Sequence, residues 1–362
     1  MEFNFASEFN RYFFNFFKNS VDIQLSLLYY NQARFVGQAV KTPPSHGGNT
    51  GSIPVRTAQE ISGRIFPFFV FKNSYNTWKG WFDMERYIDL HTHSTASDGT
   101  LTPTELVSLA RKQNLKALAL TDHDTTDGLK EATEAARGTD LEFIPGIEFS
   151  STWQNTSVHI VGLDLDWNNP EFQEALSRFQ HSREERNDKI IALLQKEGFS
   201  ITKEALKEAF PNSTCTRANL ARFLVDRHEI PSIKEAFDRY LGDRAKCYVP
   251  REDVSPFQSI RLIHECGGIA VFAHPVLCKF SRQRLESLVN ELKKAGLDAL
   301  EVYYSSYYAS DETAMAMLAK RHGLKFSGGS DFHGDNKPQI HLGTGKGNLK
   351  IPYSVLKRLR EK

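Results

Sequence analysis

The sequence predicts an α/β fold, a barrel of parallel strands that carries a small inserted helical domain. From Tyr87 onward, short β-type runs alternate with helical patterns, and this alternation is typical of a parallel sheet. Between about Pro170 and Pro250 the strand patterns stop, and four helical patterns follow one another. If the sheet closes on itself, it forms a barrel, whose active site lies at the C-terminal ends of the strands.

Seven short apolar runs are predicted as strands. They are Tyr87–Leu90, Leu115–Leu120, Glu142–Ile144, Val158–Leu163, Ile269–Phe272, Ala299–Tyr303 and Lys325–Ser327. Helices are predicted between them because capping residues, acidic first turns and apolar positions recur at helical spacing. They begin at Thr102-Pro103-Thr104-Glu105 and cover Thr126–Arg137, Glu171–Glu197, Thr202–Phe210, Arg217–Arg227, Ser232–Leu241, Gln283–Lys294 and Glu312–His322. We therefore divide the chain into a leader (1–83), a first barrel part (84–180), a helical insertion (181–254) and a second barrel part (255–362).

The first 83 residues differ in composition from the rest of the chain. They hold 19 of the 42 aromatic residues and eight basic against five acidic residues, yet they show no sustained helix or strand period. A membrane-surface or targeting segment is one interpretation. Another interpretation starts from Gly51-Ser52-Ile53-Pro54. The DNA sequence GGTTCGATTCC can encode these four residues, and it is typical of the T-arm of transfer RNA genes. Our hypothesis is that this leader is upstream DNA read into the coding frame and that Met84 is the natural start.

Bulk composition excludes several classes of protein. Lys plus Arg total 45 and Asp plus Glu total 44, so net charge gives no attraction to duplex nucleic acid or to an anionic membrane. The longest apolar run, Ile65–Phe71, has seven residues, whereas a bilayer-spanning helix needs roughly 20. The four cysteines form no CxxC pair, which argues against a disulfide framework and a cysteine zinc site. We expect a cytoplasmic protein, and the sequence leaves its oligomeric state open.

Histidines and carboxylates follow or lie in the predicted strands. His91 and His93 follow the first strand, and because side chains alternate along a strand, both imidazoles point to one side. The nine candidate metal ligands are His91, His93, Asp98, His123, Glu148, His159, His274, Asp331 and His333. Strand ends of a barrel converge on one mouth, and so many ligands suit a multinuclear metal site. A polar strand cap remains the alternative for any single residue, above all for His159, which lies inside its strand.

Six short motifs resemble those of the polymerase and histidinol phosphatase (PHP) family, in the order usual there. They are Asp89-Leu90-His91-Thr92-His93-Ser94, Ser97-Asp98-Gly99, Thr121-Asp122-His123-Asp124, Pro145-Gly146-Ile147-Glu148, Ala273-His274-Pro275 and Gly329-Ser330-Asp331-Phe332-His333. The resemblance covers Met84 to about Lys362 and leaves the leader without a counterpart. It is closest to a bacterial subgroup with a helical insertion, and it implies a distorted (β/α)7 barrel.

The resemblance implies that the nine residues bind up to three divalent ions, most commonly manganese, with zinc or iron as alternatives. It also implies hydrolysis of phosphate esters, for which we expect a metal-bridged hydroxide as the nucleophile. Asp98, His123 and His274 are the candidate catalytic residues. Asp124 could carry a proton or orient a ligand, but we favour a helix cap for the residues from Thr125 onward.

The helical insertion is expected to set substrate selectivity. Arg217 and Asn219 lie at a predicted helix start, where a guanidinium and backbone N–H groups could hold a second phosphate. Arg183 and Arg186 on the preceding helix are further candidates, and a solvated surface position is an equal alternative for these arginines. The resemblance implies removal of the 3′-phosphate from nucleoside 3′,5′-bisphosphates and trimming of short 5′-phosphorylated RNA.

Two other functions remain open at this point. Histidinol phosphatase is the alternative enzyme, because no strong substrate signature excludes it. A metal-binding PHP module without catalysis is the alternative from another class. Such a module should have lost ligands, and the full set in this sequence favours an enzyme.

Overall fold

The computed structural model describes residues 86–211, 213–251 and 254–361, so the leader lies outside the described residues. Seven strands form one sheet, and their order in the sheet is their order in the chain. They are β1 (Ile88–Asp89), β2 (Ala117–Leu120), β3 (Glu142–Trp153), β4 (Thr156–Leu163), β5 (Ile269–Phe272), β6 (Ala299–Tyr304) and β7 (Lys325–Gly329). The predicted α/β class is confirmed, and each predicted strand overlaps one of these.

The last strand returns to the first, so the sheet is a nearly closed barrel. Beyond β1, the Asp331 N–H donates to the His91 carbonyl oxygen at 2.8 Å, and the His93 N–H donates to the Phe332 carbonyl oxygen at 3.0 Å. Gly329 makes this approach possible, because a Cβ there would lie 2.5 Å from the His91 backbone nitrogen. Closure thus brings the residues after β1 and β7 side by side.

The expectation of a wholly parallel sheet is wrong at β4, which pairs antiparallel with both β3 and β5. Gln154 and Asn155 both have positive φ, and these two residues form the tight hairpin turn that joins β3 to β4. The start of β4 therefore lies beside the end of β3, with Ser150 opposite His159. This reversal places His159 at the mouth although it lies inside its strand.

Ten α-helices occur in the described part of the chain. They are α1 (Pro103–Lys112), α2 (Leu129–Ala136), α3 (Pro170–Lys196), α4 (Lys203–Ala209), α5 (Arg217–Asp226), α6 (Ile233–Ala236), α7 (Pro256–Glu265), α8 (Arg282–Lys294), α9 (Ala309–Arg321) and α10 (Tyr353–Arg360). The sequence patterns predicted all of them except α7 and α10. Helix α6 continues into a π-helical turn over Phe237–Leu241. Among these helices, none combines the length and the apolar character that crossing a membrane requires.

Residues 170–241, here called the helical segment, have an apolar core of their own. Ile190 and Leu194 from the second half of α3 pack with Leu220 and Leu224 of α5 in this core. The first half of α3 packs instead on the barrel, where Phe172 is buried in the larger apolar cluster. One continuous helix thus joins the two cores, and the domain limits 181 and 254 stay predictions.

Candidate metal centre

The structure brings the nine candidate ligands together at one mouth of the barrel. Their ligand atoms form four groups, each with all members within 4.8 Å of one another. The groups are His93, Asp98, His123 and His333; His91, Glu148 and His274; His91, His93 and Asp331; and His123, Glu148 and His159. Because several residues belong to two groups, the arrangement suits neighbouring ions with shared ligands. The cluster of these nine residues is called the metal centre below.

Glu148 lies in the middle of the metal centre, with all of its side chain buried. One of its carboxylate oxygens lies 2.8 Å from His159 Nδ1 and 2.9 Å from His274 Nε2. The other lies between 3.1 and 3.3 Å from nitrogens of three further histidines, which are His91, His93 and His123. A carboxylate with two oxygens among five imidazoles has the geometry of a bridging ligand.

Asp98 and Asp331 complete the two remaining groups. His333 Nε2 lies 3.3 Å from Asp98 Oδ1, and His93 Nε2 lies 3.3 Å from Asp331 Oδ1. The other oxygen of Asp331 accepts hydrogen bonds from Tyr304 Oη at 2.7 Å and Lys337 Nζ at 2.6 Å. These two donors hold one oxygen of Asp331 and leave the other facing the histidines.

Several buried ligand atoms make no hydrogen bond to any described residue. They are His91 Nε2, His93 Nδ1, His93 Nε2 and Glu148 Oε2. A buried polar atom without a partner costs about 1 to 3 kcal/mol, so such atoms are rare unless another group satisfies them. Imidazole nitrogens and carboxylate oxygens that point at one another are the donor set of divalent metals. The residues present therefore fit bound divalent ions.

The electrostatics of the metal centre also fit a cation. Burial opposes the charged form of Glu148, but His123, His91 and His159 outweigh it and hold the pKa of that carboxyl well below its ordinary range. Burial lowers the pKa of His123 to about 3. For His93, the nearby carboxylates of Asp331 and Glu148 overcome the effect of burial and raise the pKa to about 9. Ionised carboxylates therefore lie among the imidazoles of the metal centre.

Two predicted ligands have strained backbones. His274 has φ 31° and Asp331 has φ 56°, both in the left-handed region that residues other than glycine rarely adopt. Such strain persists only where the surroundings fix the residue, and it is concentrated at functional sites. In both cases the residue follows a strand end and turns its side chain toward the mouth.

The structure adds a buried acid that sequence reasoning missed. Glu301 lies in β6, and its Oε1 contacts His91 Nδ1 at 2.9 Å while its Oε2 accepts a hydrogen bond from the His274 N–H at 2.7 Å. A carboxylate on the far nitrogen of a metal-binding histidine fixes the tautomer and the orientation of the ring. The available signal was a single charged residue within an otherwise apolar strand.

Asp122 has a related role for the loop that carries Asp98. Its carboxylate accepts hydrogen bonds from the Ser94 N–H at 2.8 Å and from the Ser97 hydroxyl at 2.5 Å. Both donors lie in the loop between His93 and Asp98, so Asp122 holds that loop against the end of β2. The sequence motif contained Asp122, but the spacing of the motif did not indicate a contact between Asp122 and the loop that carries Asp98.

The interpretation of Asp124 as a helix cap is wrong. Helix α2 begins at Leu129 with Gly128 before it, and in the described part of the chain no side chain caps it. The Asp124 carboxylate is instead fully buried and pairs with Arg183 and Arg251. Burial opposes its ionisation, but these two guanidinium groups hold the pKa of Asp124 far below its ordinary range.

A cavity of about 250 Å³ is lined by residues of both the metal centre and the helical segment. Four residues of the metal centre line it: Asp98, His123, His159 and His333. Four guanidinium groups, here called the arginine wall, line it as well: Arg183, Arg186, Arg217 and Arg251. Sequence reasoning had proposed the first three for phosphate binding and missed Arg251, which lies after the helical segment and far in sequence from any motif.

The four arginines of the wall differ in their pairing. Arg183 and Arg251 pair with Asp124, and Arg217 Nη1 donates to Asp243 Oδ1 at 2.9 Å and to the Leu241 carbonyl oxygen at 3.0 Å. Arg186 makes no hydrogen bond or ion pair with any described residue, although only 7% of it is exposed. Burial, and then the like charges of its neighbours, lower the pKa of Arg186 well below its ordinary range.

The contacts of Asn219 favour a structural role. Its Oδ1 accepts a hydrogen bond from the Thr216 N–H at 2.7 Å, and its Nδ2 donates to the Ser97 carbonyl oxygen at 3.2 Å. The residue is buried and does not line the cavity. Its amide is therefore already used within the protein, and we leave it out of the substrate site below.

Comparisons with known proteins agree with this site. Residues 89–245 match the model of the PHP domain. The chain is 38% identical over 269 residues to the 5′-3′ exoribonuclease Rnm of Escherichia coli, covering 74% of this chain and 90% of that protein. It is 37% identical over 247 residues to a 3′,5′-nucleoside bisphosphate phosphatase of Chromobacterium violaceum, covering 68% of this chain and 87% of the relative.

A solved structure extends the likeness to the fold. A Bifidobacterium adolescentis protein, assigned as a metal-dependent phosphoesterase, superposes with a TM-score of 0.67 at 29% identity, over 76% of this chain and 95% of that one. The fold and the site together define a metal-dependent hydrolase of phosphate esters. The chain belongs to the PHP family. The predicted family, enzyme class and divalent metal dependence are thereby confirmed.

Proposed function

We propose that the chain removes the 3′-phosphate from nucleoside 3′,5′-bisphosphates and trims short 5′-phosphorylated RNA from its 5′ end. One observation carries this proposal: residues of the metal centre and the arginine wall line the same cavity. The names of the two relatives, an exoribonuclease and a nucleoside bisphosphate phosphatase, support it.

Two phosphates on one ribose match this arrangement. The scissile 3′-ester lies at the metal centre in our proposal, and the 5′-phosphate lies at the arginine wall. Arg186 is the strongest candidate contact, because a buried guanidinium with no partner among the described residues gains most from an anion. Arg183 and Arg251 are fixed by Asp124, so they can contact a phosphate with little loss of side-chain freedom.

The same contact explains why two activities can share one site. A nucleoside 3′,5′-bisphosphate and the first nucleotide of a 5′-phosphorylated RNA both carry a 5′-phosphate beside the ester that is cleaved. Recognition of that phosphate fixes which ester reaches the metal centre. The group on the far side of the ester then differs between the two substrates without touching the arginine wall.

We propose up to three divalent ions, with manganese as the first choice over zinc or iron. Bound divalent ions lower the pKa of coordinated water and neutralise phosphoryl oxygens. The nine residues of the metal centre would hold them, with Asp98, His123 and His274 bearing most directly on turnover. Glu301 keeps the His91 ring oriented, and Tyr304 and Lys337 keep Asp331 in place.

Histidinol phosphate fits the cavity less well. That substrate carries an ammonium group beside a single phosphate. The arginine wall would repel the ammonium group, because four guanidinium groups line the cavity, and the carboxylates that contact them, Asp124 and Asp243, are already paired with arginines. The wall therefore favours a substrate with a second negative charge.

A substrate panel tests the proposed function. The manganese-loaded protein is assayed for phosphate release from adenosine 3′,5′-bisphosphate and from histidinol phosphate. It is also assayed for nucleotide release from short RNA with a 5′-phosphate or a 5′-hydroxyl. We expect adenosine 5′-monophosphate as the product and trimming of only the 5′-phosphorylated RNA. Faster use of histidinol phosphate, or equal use of both RNA ends, would overturn the proposal.

We further propose that the protein works in the cytoplasm. Its four cysteines, Cys215, Cys247, Cys266 and Cys278, are all free, and a reducing compartment keeps thiols in that state.

A further inference from the structure

The helical segment contacts the loop that carries Asp98 at several points. The Thr214 N–H donates to the Ala96 carbonyl oxygen at 2.9 Å, and Ser213 Oγ and Asn219 Nδ2 both donate to the Ser97 carbonyl oxygen. These contacts involve the backbone of residues 96 and 97, directly before Asp98. The helical segment is thus joined to the loop from one side, while Asp122 holds it from the other.

One contact reaches the metal centre itself. Thr216 Oγ1 donates to Asp98 Oδ2 at 2.9 Å, and both residues are buried. Thr216 is also the N-cap of α5, where its Oγ1 accepts hydrogen bonds from the Ala218 N–H at 3.0 Å and the Asn219 N–H at 3.3 Å. The hydroxyl therefore takes two hydrogen bonds from the helix start and donates its own proton toward the carboxylate.

The direction of that proton follows from the neighbouring amide. Asn219 Oδ1 lies 2.9 Å from Thr216 Oγ1 and could compete for the proton. It already accepts the Thr216 N–H at 2.7 Å, whereas the Asp98 carboxylate carries a full charge and is the stronger acceptor. The Thr216 hydroxyl thus binds one oxygen of Asp98 and orients the other toward His333, 3.3 Å away.

A second connection reaches the backbone of the same residue. Helix α5 presents Arg222, whose Nη1 donates to Asn336 Oδ1 at 2.8 Å, and Asn336 Nδ2 donates to the Asp98 carbonyl oxygen at 2.7 Å. Helix α5 therefore fixes Asp98 through both its side chain and its main chain.

We propose that Thr216 is a positioning residue for the metal centre, so that the helical segment sets the affinity of the ion held by His93, Asp98, His123 and His333. This inference rests on the metal-dependent activity. It gives the helical segment a second role beside substrate selectivity. A partner that orients a metal ligand typically contributes 10- to 100-fold in metal affinity, so loss of the hydroxyl should weaken one ion by about that factor.

The experiment measures metal binding rather than turnover. Thr216→Val removes both the cap and the donor, Thr216→Asp keeps a capping oxygen but cannot donate to Asp98, and Thr216→Ser keeps both functions. The matched control is Thr202→Val, which removes the N-cap hydroxyl of α4, an oxygen that accepts the Ala205 N–H at 3.2 Å. Each protein is loaded with manganese and titrated with a chelator, and bound metal is counted by mass spectrometry.

We expect Thr216→Val and Thr216→Asp to lose one equivalent of manganese at a 10- to 100-fold lower chelator concentration than the wild type. Thr216→Ser and Thr202→Val should follow the wild-type curve. If Thr216→Asp keeps all ions as tightly as the wild type, Thr216 is only a helix cap and the inference is overturned. If the wild-type protein itself binds no metal, the assignment of the metal centre is wrong. That result is distinguishable from an error in the role of Thr216 alone.

Discussion

Replacement of Arg186 by methionine should make the protein more stable and a poorer enzyme on its proposed substrate. Arg186 is buried, its Nε has no hydrogen-bond partner among the described residues, and three other guanidinium groups line its cavity. Methionine has a similar length, fills the same space and carries no charge to desolvate. Opposite effects on stability and activity are expected, because the arginine destabilises the free protein and contributes to binding only when an anion is present.

The expected changes in stability and in kcat/KM follow from the guanidinium without an anion and with a bound phosphate, respectively. An unsatisfied buried donor costs about 1 to 3 kcal/mol, so Arg186→Met should raise the free energy of unfolding by an amount in that range. A charge-assisted hydrogen bond to phosphate contributes about 1.5 to 3 kcal/mol. Loss of that bond should lower kcat/KM for adenosine 3′,5′-bisphosphate by about ten- to a hundredfold. A phosphate monoester without a second phosphate should be hydrolysed at nearly the wild-type rate.

Denaturant unfolding and steady-state kinetics on both substrates check this prediction. The matched control is Arg178→Met on the same helix, because the Arg178 side chain is 71% exposed and its ion pair with Glu174 lies on the surface. The control should change stability by less than about 0.5 kcal/mol and leave both rates unchanged. A destabilised Arg186→Met that keeps its preference for the bisphosphate would refute the proposed phosphate contact.

The remaining predictions concern the metal centre, a second wall arginine and the leader. Asp98→Asn and His274→Ala should each lower the metal content and cut turnover by orders of magnitude, while the circular dichroism spectrum stays unchanged. If both variants keep their activity and a chelator does not inhibit the wild-type protein, the metal mechanism is excluded. Arg217→Ala should weaken bisphosphate hydrolysis by about ten- to a hundredfold and spare a monophosphate ester, whereas equal loss on both would indicate that its ion pair with Asp243 is only structural. A chain that begins at Met84 should fold and keep full activity; aggregation or lost turnover would show that the leader belongs to the fold.

Much of the metal centre could be predicted because the strand ends of a barrel meet in space. His91, His123 and Asp331 are far apart in sequence, yet each follows a strand whose C-terminal end lies at the same mouth. The sequence pattern therefore located the candidate ligands without any pairing information. His159 was the least certain of them because it lies inside its predicted strand. The antiparallel turn at Gln154 and Asn155, which places it at the mouth, has no glycine to signal it.

The partners of the ligands could not be predicted in the same way. Glu301, Asp122 and Arg251 act through contacts between segments that only the closed barrel and the docked helical segment bring together. Asp124 shows the consequence, because its position before a helix suggested a local cap while its carboxylate binds two distant arginines. Local sequence patterns identify residues that contact their own neighbours in sequence. Glu301, Asp122, Arg251 and Asp124 instead contact residues that are distant in sequence and close in space.

A crystal structure of the manganese-loaded protein with adenosine 5′-monophosphate and inorganic phosphate tests the central claim most directly. Anomalous scattering identifies manganese, and the density shows where the two phosphates of the products lie. We predict manganese peaks within the nine-residue metal centre and the nucleotide 5′-phosphate within hydrogen-bond distance of Arg186. Manganese bound elsewhere, or a 5′-phosphate that lies at the metal centre while the arginine wall contacts no anion, would contradict the proposed recognition.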